Sequence, residues 1–268
     1  MVDLINVIIV EDDVYALNLM ATLLARDWRT RVIAEFGGSA MEAQVGRFLA
    51  SNPNQRIHVA VIDAEMVMDP EEPLRIARQL GSLPHPPVIL LTATQADERI
   101  FKRACALPTF GGFLIKQEVS FALASAVTKA AEKKVVVTPS LVEMVCEHID
   151  RHNVVEISGM DPMENLTVRE KEIARLGILY NLTQRDISDE LALDSGYIAD
   201  VISQVYDKVD LRDLINGSLP VEEYFQNPVI LRKFREVIEA ASGEPGRGKA
   251  PNMSTFAFHL LTRPTGTE

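Results

Sequence analysis

The chain has 268 residues, 47% of them hydrophobic, enough for one to three domains with real cores. Its formal net charge of -11 argues against nucleic acid or an anionic membrane as partner, except through a local basic patch. Cys105 and Cys146 have no CxxC partner, which points to a reduced, cytoplasmic protein; Glu11, Asp12 and Asp13 follow the first apolar run too soon for a signal peptide, and no run is long enough to span a bilayer.

Residues 7–10 are a β-branched run that ends in Glu11-Asp12-Asp13. Residues 14–25 place Leu17, Met20, Leu23 and Leu24 at helical spacing. A strand over 31–35, a helix over 41–49 and a loop at Ser51-Asn52-Pro53-Asn54 follow. The stretch His58-Val-Ala-Val-Ile-Asp63-Ala-Glu-Met66 is an apolar run that stops at a carboxylate, as a buried strand of a parallel sheet would. Residues 88–91 form another such run, closed by Thr92-Ala93-Thr94. A helix over 97–106, the pair Gly111-Gly112, the run Phe113-Leu114-Ile115 ending at Lys116, and a helix over 119–133 complete the pattern. Strands alternating with helices imply a parallel sheet covered on both faces.

One carboxylate after a strand often does no more than cap the next helix. Here four strand ends carry complementary groups: Glu11/Asp12, Asp63, Thr92 and Lys116. In open α/β sheets the chemistry lies just beyond the carboxyl ends of the strands. Clustered carboxylates suit a hard divalent cation such as Mg²⁺, which permits a carboxylate to attack a phosphoryl group. A hydroxyl and an ammonium can bind the phosphoryl oxygens.

This half resembles the receiver domain of two-component response regulators. Glu11-Asp12 matches the acidic pair, Asp63-Ala64-Glu65-Met66 the phosphoacceptor motif, Thr92-Ala93 the step after the fourth strand, Lys116 the closing lysine, and Phe113 the aromatic switch. Val67 and Gln117 stand where proline is usual, and 106–110 form an unusual loop. The resemblance implies a flavodoxin-like fold with a five-stranded parallel sheet. It also implies phosphotransfer to Asp63 from a histidine kinase or phosphotransfer protein, with Thr92 and Lys116 assisting. Mg²⁺ would be held by Glu11, Asp12, Asp63 and the backbone carbonyl of Glu65. Phosphorylation would draw Phe113 inward and promote homodimer pairing around the fourth and fifth strands. Self-phosphorylation and dephosphorylation would be the chain's sole enzymatic chemistry.

The expected divisions are a receiver at 1–133, a linker with a helix at 134–165, a helix-turn-helix unit at 166–214, and an extension at 215–268 that is helical and then flexible. In the linker a helix is expected from Pro139 to Asp150, where His148 and His152 share a face; they lack the glutamate of the zinc-protease motif and a third ligand. Residues 243–249 have phosphate-loop spacing, but Ala250 replaces the required hydroxyl and Pro251 prevents a following helix.

Leu166-Thr167-Val168-Arg169-Glu170 opens a helix with a capping box. Asn181-Leu182-Thr183 breaks it. A short helix over 184–191, a turn at Ala192-Leu193-Asp194 and a helix to about Val209 make a helix-turn-helix. The stretch resembles the LuxR/FixJ-type output domain, in the opening Leu166, Thr167, Arg169, Glu170 and in Asp186-Ile187-Ser188 through Leu191. The resemblance implies DNA as partner, with Thr183, Gln184, Arg185, Ser195, Tyr197, Ser203, Gln204 and Lys208 as contact residues. The family's third-helix lysine and histidine align with Ala199 and Val201. Between Leu166 and Asp213 six cations face ten anions, a net -4, where a DNA reader normally presents positive charge. The alternative function is a module that binds protein. Residues 221–226 and 229–241 read as helices, the latter with Arg232, Lys233 and Arg235, and 255–261 is a short apolar segment.

Overall fold

The computed structural model describes residues 4–145, 149–159, 165–242 and 253–263. These form two compact units that divide at residue 160. Cys146, His148 and the phosphate-loop-like stretch 243–249 lie outside the described residues.

The first unit alternates strand and helix through β1 (Ile5–Val10), α1 (Val14–Arg26), β2 (Thr30–Phe36), α2 (Met41–Ser51), β3 (Val59–Asp63), α3 (Glu72–Gly81), β4 (Val88–Ala93), α4 (Glu98–Cys105) and β5 (Phe110–Ile115). The helix expected over 119–133 is broken. A single turn α5 (Lys116–Val119) and a 3₁₀ turn precede α6 (Leu123–Ala131).

Period-two alternation within each strand sorts its side chains to opposite faces. Ile8, Val10, Ala60, Ile62, Ile89, Leu91 and Phe113 enter one buried cluster, which also takes residues of α2, α3 and α4. Val7, Ile9, Val59, Val61, Leu90 and Leu114 enter the other, with residues of α1 and α6. Each fully buried aliphatic side chain contributes about 1.5–3 kcal/mol.

The sheet has seven strands, not the expected five. The stretch expected as a linker supplies β6 (Val135–Val137) and β7 (Val154–Glu156), and the order is β2-β1-β3-β4-β5-β6-β7, all parallel. Three consecutive valines stabilise so short a strand as β6, because β-branched residues suit a pleated, buried surface. The helix expected from Pro139 is a 3₁₀ turn followed by α7 (Val142–Val145). Leu141 joins the first cluster, and Val142, Met144 and Ile149 pack on it. The outer edge of β5, expected as part of a pairing surface, is therefore occupied by the chain's own β6.

The second unit holds α8 (Val168–Ala174), continued by a π-helical turn (Arg175–Leu179), then α9 (Gln184–Leu191), α10 (Ser195–Lys208), α11 (Leu211–Ile215), α12 (Pro228–Ser242) and α13 (Met253–Leu261). Residues 221–226, expected as a helix, give one 3₁₀ turn, Val221–Glu223. The extension is part of this unit's core. Phe225, Phe234, Phe256 and Phe258 are buried, and rings of the first three follow one another at 5.1 and 4.7 Å, the second pair edge to face.

The β5–β6 seam tolerates no side chain at Gly112, where an added Cβ would lie 2.0 Å from the carbonyl oxygen of Val136. Gly112→Ala should destabilise the first unit by roughly 1–3 kcal/mol. Urea unfolding followed by the fluorescence of Trp28, the single tryptophan, measures this. An unchanged midpoint would mean that β6 is not seated on β5.

Candidate functional site

The strand order reverses between β1 and β3, so the carboxyl ends of these strands open into a crevice. Val10 hands over to Glu11, fully buried at the end of β1. Asp12 is half-buried and accepts the backbone N–H of Val67 at 2.9 Å, which draws the loop after β3 toward the acidic pair. Asp13 is spent on structure: its carboxylate caps α1, accepting from the N–H groups of Tyr15 at 2.7 Å and Ala16 at 2.9 Å.

Asp63 closes β3 and is 2% exposed. The backbone N–H of Glu65 donates to its Oδ1 at 3.2 Å. Carboxylate oxygens of Glu11, Asp12 and Asp63 lie within 4.8 Å of one another. Thr92 is paired directly with Asp63 across the β3–β4 ladder. Its Oγ1 is buried and has no hydrogen-bond partner among the described residues. A buried hydroxyl left unpaired costs about 1–3 kcal/mol, so it is held ready for an acceptor. Lys116 starts α5 directly after β5 and puts Nζ 2.7 Å from Glu11 Oε2 and 3.2 Å from Asp63 Oδ1.

Burial and the Asp63 charge push the Glu11 carboxyl up to about 7, against the pull of Lys116. Burial also raises Asp63, with Lys116 opposing. Burial disfavours the Lys116 ammonium, but the hydrogen bond to Glu11 and the charges of both carboxylates outweigh it and raise its pKa. One ammonium shared between two buried carboxylates leaves the cluster short of positive charge. Three hard oxygen donors in that condition fit a divalent cation.

Thus Glu11, Asp12, Asp63, Thr92 and Lys116 are brought together. Two residues behave differently from expectation. Phe113 is already fully buried, its ring 5.7 Å from that of Phe101, the inward placement that was expected only on phosphorylation. The Glu65 carboxylate accepts from the backbone N–H groups of Thr94 at 2.5 Å and Gln95 at 3.3 Å, clasping the loop after β4. Sequence reasoning assigned only the Glu65 carbonyl; the acidic side chain two residues past Asp63 was the available signal.

In the second unit Thr167 and Glu170 form the expected capping box on α8, and Thr183 forms another with Asp186 on α9. Ala192 takes a left-handed conformation (φ 52°) that turns the chain, and Asp194 caps α10 through the N–H groups of Gly196 and Tyr197. Ile187, Ile198, Val201 and Val205 are buried beneath the motif. Gln184, Arg185, Ser195, Tyr197 and Gln204 stand exposed. Lys208 is instead bound to Glu170 at 2.8 Å, and Ser203 takes a hydrogen bond from Arg212, which also pairs with Asp207 at 2.9 Å. Arg232, Lys233 and Arg235 pair with Glu236, Glu236 and Glu222.

Fold and site define an α/β unit with a carboxylate cluster at the carboxyl edge of its parallel sheet, followed in the chain by a helix-turn-helix unit. The chain is similar to the uncharacterized transcriptional regulatory protein YvfU of Bacillus subtilis, 27% identical over 222 residues, which is 82% of this chain and 98% of that one. Similar solved structures include a complex of the two-component response regulator RcsB with DNA (16% identity, 88% of this chain, 99% of that one, TM-score 0.45). RcsB from Salmonella enterica serovar Typhimurium, bound to the rprA promoter with the phosphomimetic BeF3⁻, is another (19% identity, 87% and 98%, TM-score 0.41). No protein-family model matches the chain. Among the described residues no helix is long and apolar enough to cross a membrane.

The Glu11 shift has a consequence for stability. The folded chain keeps this proton up to about pH 7, whereas the unfolded chain releases it near 4.5. The native state thus binds the extra proton, and the stability this gives below pH 4.5 is lost as pH rises toward 7. Metal-free protein should lose on the order of 1–3 kcal/mol from this group across that window. Denaturant titrations at pH 5, 6 and 7 should show the decline in the parent and a flatter profile in Glu11→Gln; equal slopes would refute the raised pKa.

Proposed function

We propose that this chain is a cytoplasmic, phosphorylation-controlled response regulator that acts in transcription through its helix-turn-helix unit. The observation that carries this reading is the buried Asp63, set against Glu11, Asp12 and Lys116 and paired with a Thr92 whose hydroxyl lacks a partner. Asp63 Oδ attacks the phosphorus of a phosphohistidine on a kinase or phosphotransfer protein. A P–O bond forms, the donor's P–N bond breaks, and the electron pair returns to the imidazole. Lys116 is within reach to exchange its carboxylate partner for a phosphoryl oxygen, and the Thr92 hydroxyl gains its missing acceptor. Glu11, Asp12, Asp63 and the Glu65 carbonyl would hold Mg²⁺, which supplies charge neutralisation for the incoming phosphoryl group. Attack of water on the acyl phosphate ends the signal.

Purified protein with Mg²⁺ and acetyl phosphate should gain one acid-labile phosphoryl group, seen by mass. Asp63→Asn should abolish it, and Asp12→Ala should raise the Mg²⁺ requirement about tenfold or more through loss of one ligand. Phosphoryl uptake that persists in Asp63→Asn sinks the assignment.

The output reading is a LuxR/FixJ-type unit that contacts DNA through Gln184, Arg185, Ser195, Tyr197 and Gln204, with the protein acting as a homodimer. The name of the Bacillus subtilis relative supports transcription. One specific observation favours a second reading, a module that binds protein. The sole cation of α10, Lys208, is committed to Glu170, and Arg212 to Asp207. Each phosphate contact contributes about 0.9 to the slope of log affinity against log salt. With Arg185 as the main cation beside the motif, the full phosphorylated chain should bind its preferred duplex with a slope of roughly 3 or less, and Arg185→Ala should lower it by about one. Selection from a random duplex pool that yields no preferred sequence would overturn the DNA reading in favour of the second.

A further inference from the structure

The two strands added to the sheet lie between the site and the second unit along the chain, and their attachments converge on one place. Lys116 Nζ touches Glu11 and Asp63, and its own backbone follows Ile115 at the end of β5. The N–H of Ile115 is tied to the added segment through a side chain. It donates to Oγ1 of Thr138 at 3.0 Å, and Thr138 is completely buried. Two residues past Lys116, Glu118 holds the added segment twice. Its carboxylate accepts from Ser140 N–H at 3.1 Å, and its carbonyl accepts from Gly159 N–H at 2.8 Å. Gly159 is pressed onto the same turn: a Cβ there would lie 2.3 Å from the carbonyl oxygen of Val119 and 2.8 Å from the N of Ala122. The single turn α5 is thus pinned by Lys116 at its start. Just past its end stands Ser120, a non-glycine residue at φ 35° and ψ -113°. Such a conformation costs about 1–3 kcal/mol and persists only where its surroundings impose it. Six residues after Gly159 the chain has reached Asn165 of the second unit.

We propose that α5 is a lever between the site and the output: when Lys116 leaves Glu11 and Asp63 for a phosphoryl oxygen, Glu118 shifts and releases Gly159, so that the state of Asp63 passes to the second unit within one chain through the β5–β6 seam. This rests on the reading that Asp63 is phosphorylated. The physical argument is geometric. A one-turn helix held at both ends has little room to deform internally, so displacement at Lys116 moves Glu118. The carbonyl of Glu118 is the acceptor for the N–H of Gly159, which directly precedes the boundary between the two units at residue 160. Thr138 is the pivot, because its hydroxyl fixes the residue before Lys116 to the added strands. It is a positioning residue, since it touches neither Asp63 nor the metal ligands in any hydrogen bond among the described residues.

The test is amide hydrogen exchange on the full chain, resolved by peptide mass. Samples are taken with and without Mg²⁺ and acetyl phosphate, and phosphoryl uptake at Asp63 is measured on the same material. Peptides covering 154–159 should exchange at least fivefold faster in the phosphorylated chain. Thr138→Val should leave the amount of phosphoryl on Asp63 unchanged but cut that response to under twofold, and Thr138→Ser, which keeps the hydroxyl, should restore it. Gly159→Ala should give fast exchange at 154–159 without phosphorylation, because the methyl group cannot be seated against Val119. A chain that carries phosphoryl on Asp63 and exchanges at 154–159 at its unphosphorylated rate overturns the lever while leaving the receiver reading intact. A chain that takes up no phosphoryl group overturns both. Equal responses in Thr138→Val and the parent would remove Thr138 as the pivot and overturn the seam as the route.

Discussion

The structure turns on one ammonium group shared between two buried carboxylates. Lys116 stands between Glu11 and Asp63 at the carboxyl edge of the sheet, where desolvation makes each unneutralised charge expensive. Among the described residues no other cation pairs with these two carboxylates. The Asp12 carboxylate adds to the deficit, and the unpaired Thr92 hydroxyl lacks an acceptor. A site in this condition is not at rest electrostatically. It gains from a cation and offers donors to an anion, and a metal with a phosphoryl group is such a combination. The cost is met by the surrounding core: the strands that deliver these side chains are among the most deeply buried of the chain.

Placement of the site was legible in the sequence because its signal is a boundary. Each of β1, β3, β4 and β5 is an apolar run that ends at or beside a polar residue, and a parallel sheet brings those ends together whatever its helices do. The helix-turn-helix was legible for a related reason. Thr167 opens α8 with a capping box, and the breaks at residues 181–183 and 192–194 bound α9 and α10, all of it local chemistry. What escaped was set by tertiary context. Val135–Val137 and Val154–Glu156 are too short to declare themselves as strands, and the segment reads as a linker with a helix. A three-residue strand becomes stable only when an edge such as β5 offers its hydrogen bonds. The clue was Val135-Val136-Val137 itself, followed by Val154-Val155, two β-branched clusters in a supposedly exposed connection.

The C-terminal extension shows the same limit. Its aromatic residues, Phe225, Phe234, Phe256 and Phe258, come from segments that the sequence offers separately, yet they form a buried set in the second unit. Spacing along one helix cannot reveal that two helices share a core. The basic residues of α12 illustrate the reverse error. Arg232, Lys233 and Arg235 read as a patch in sequence, but each has a carboxylate partner in space. Exposed pairs of this kind add little stability, about 0–1 kcal/mol, but they do take a cation away from any phosphate. The positive charge of this helix is therefore less available to an outside anion than its sequence suggests.

The added strands also settle how the sheet ends. A sheet edge presents unpaired backbone groups and invites pairing with other chains. Without β6 the chain would leave β5 as such an edge, flat, apolar and directly behind the site. With the addition the edge moves to β7, which is three residues long and closes on the exposed Glu156. At the far side β2 carries exposed Arg31 and Glu35. Both margins are thus short or charged, as solvent-facing edges are in monomeric sheets. The same arrangement denies β5 to a second copy of the chain. Any association that phosphorylation promotes must then use a surface other than the β5 edge. Lys116 is joined to Gly159, at the end of the first unit, through α5 and one hydrogen bond, from the Gly159 N–H to the Glu118 carbonyl.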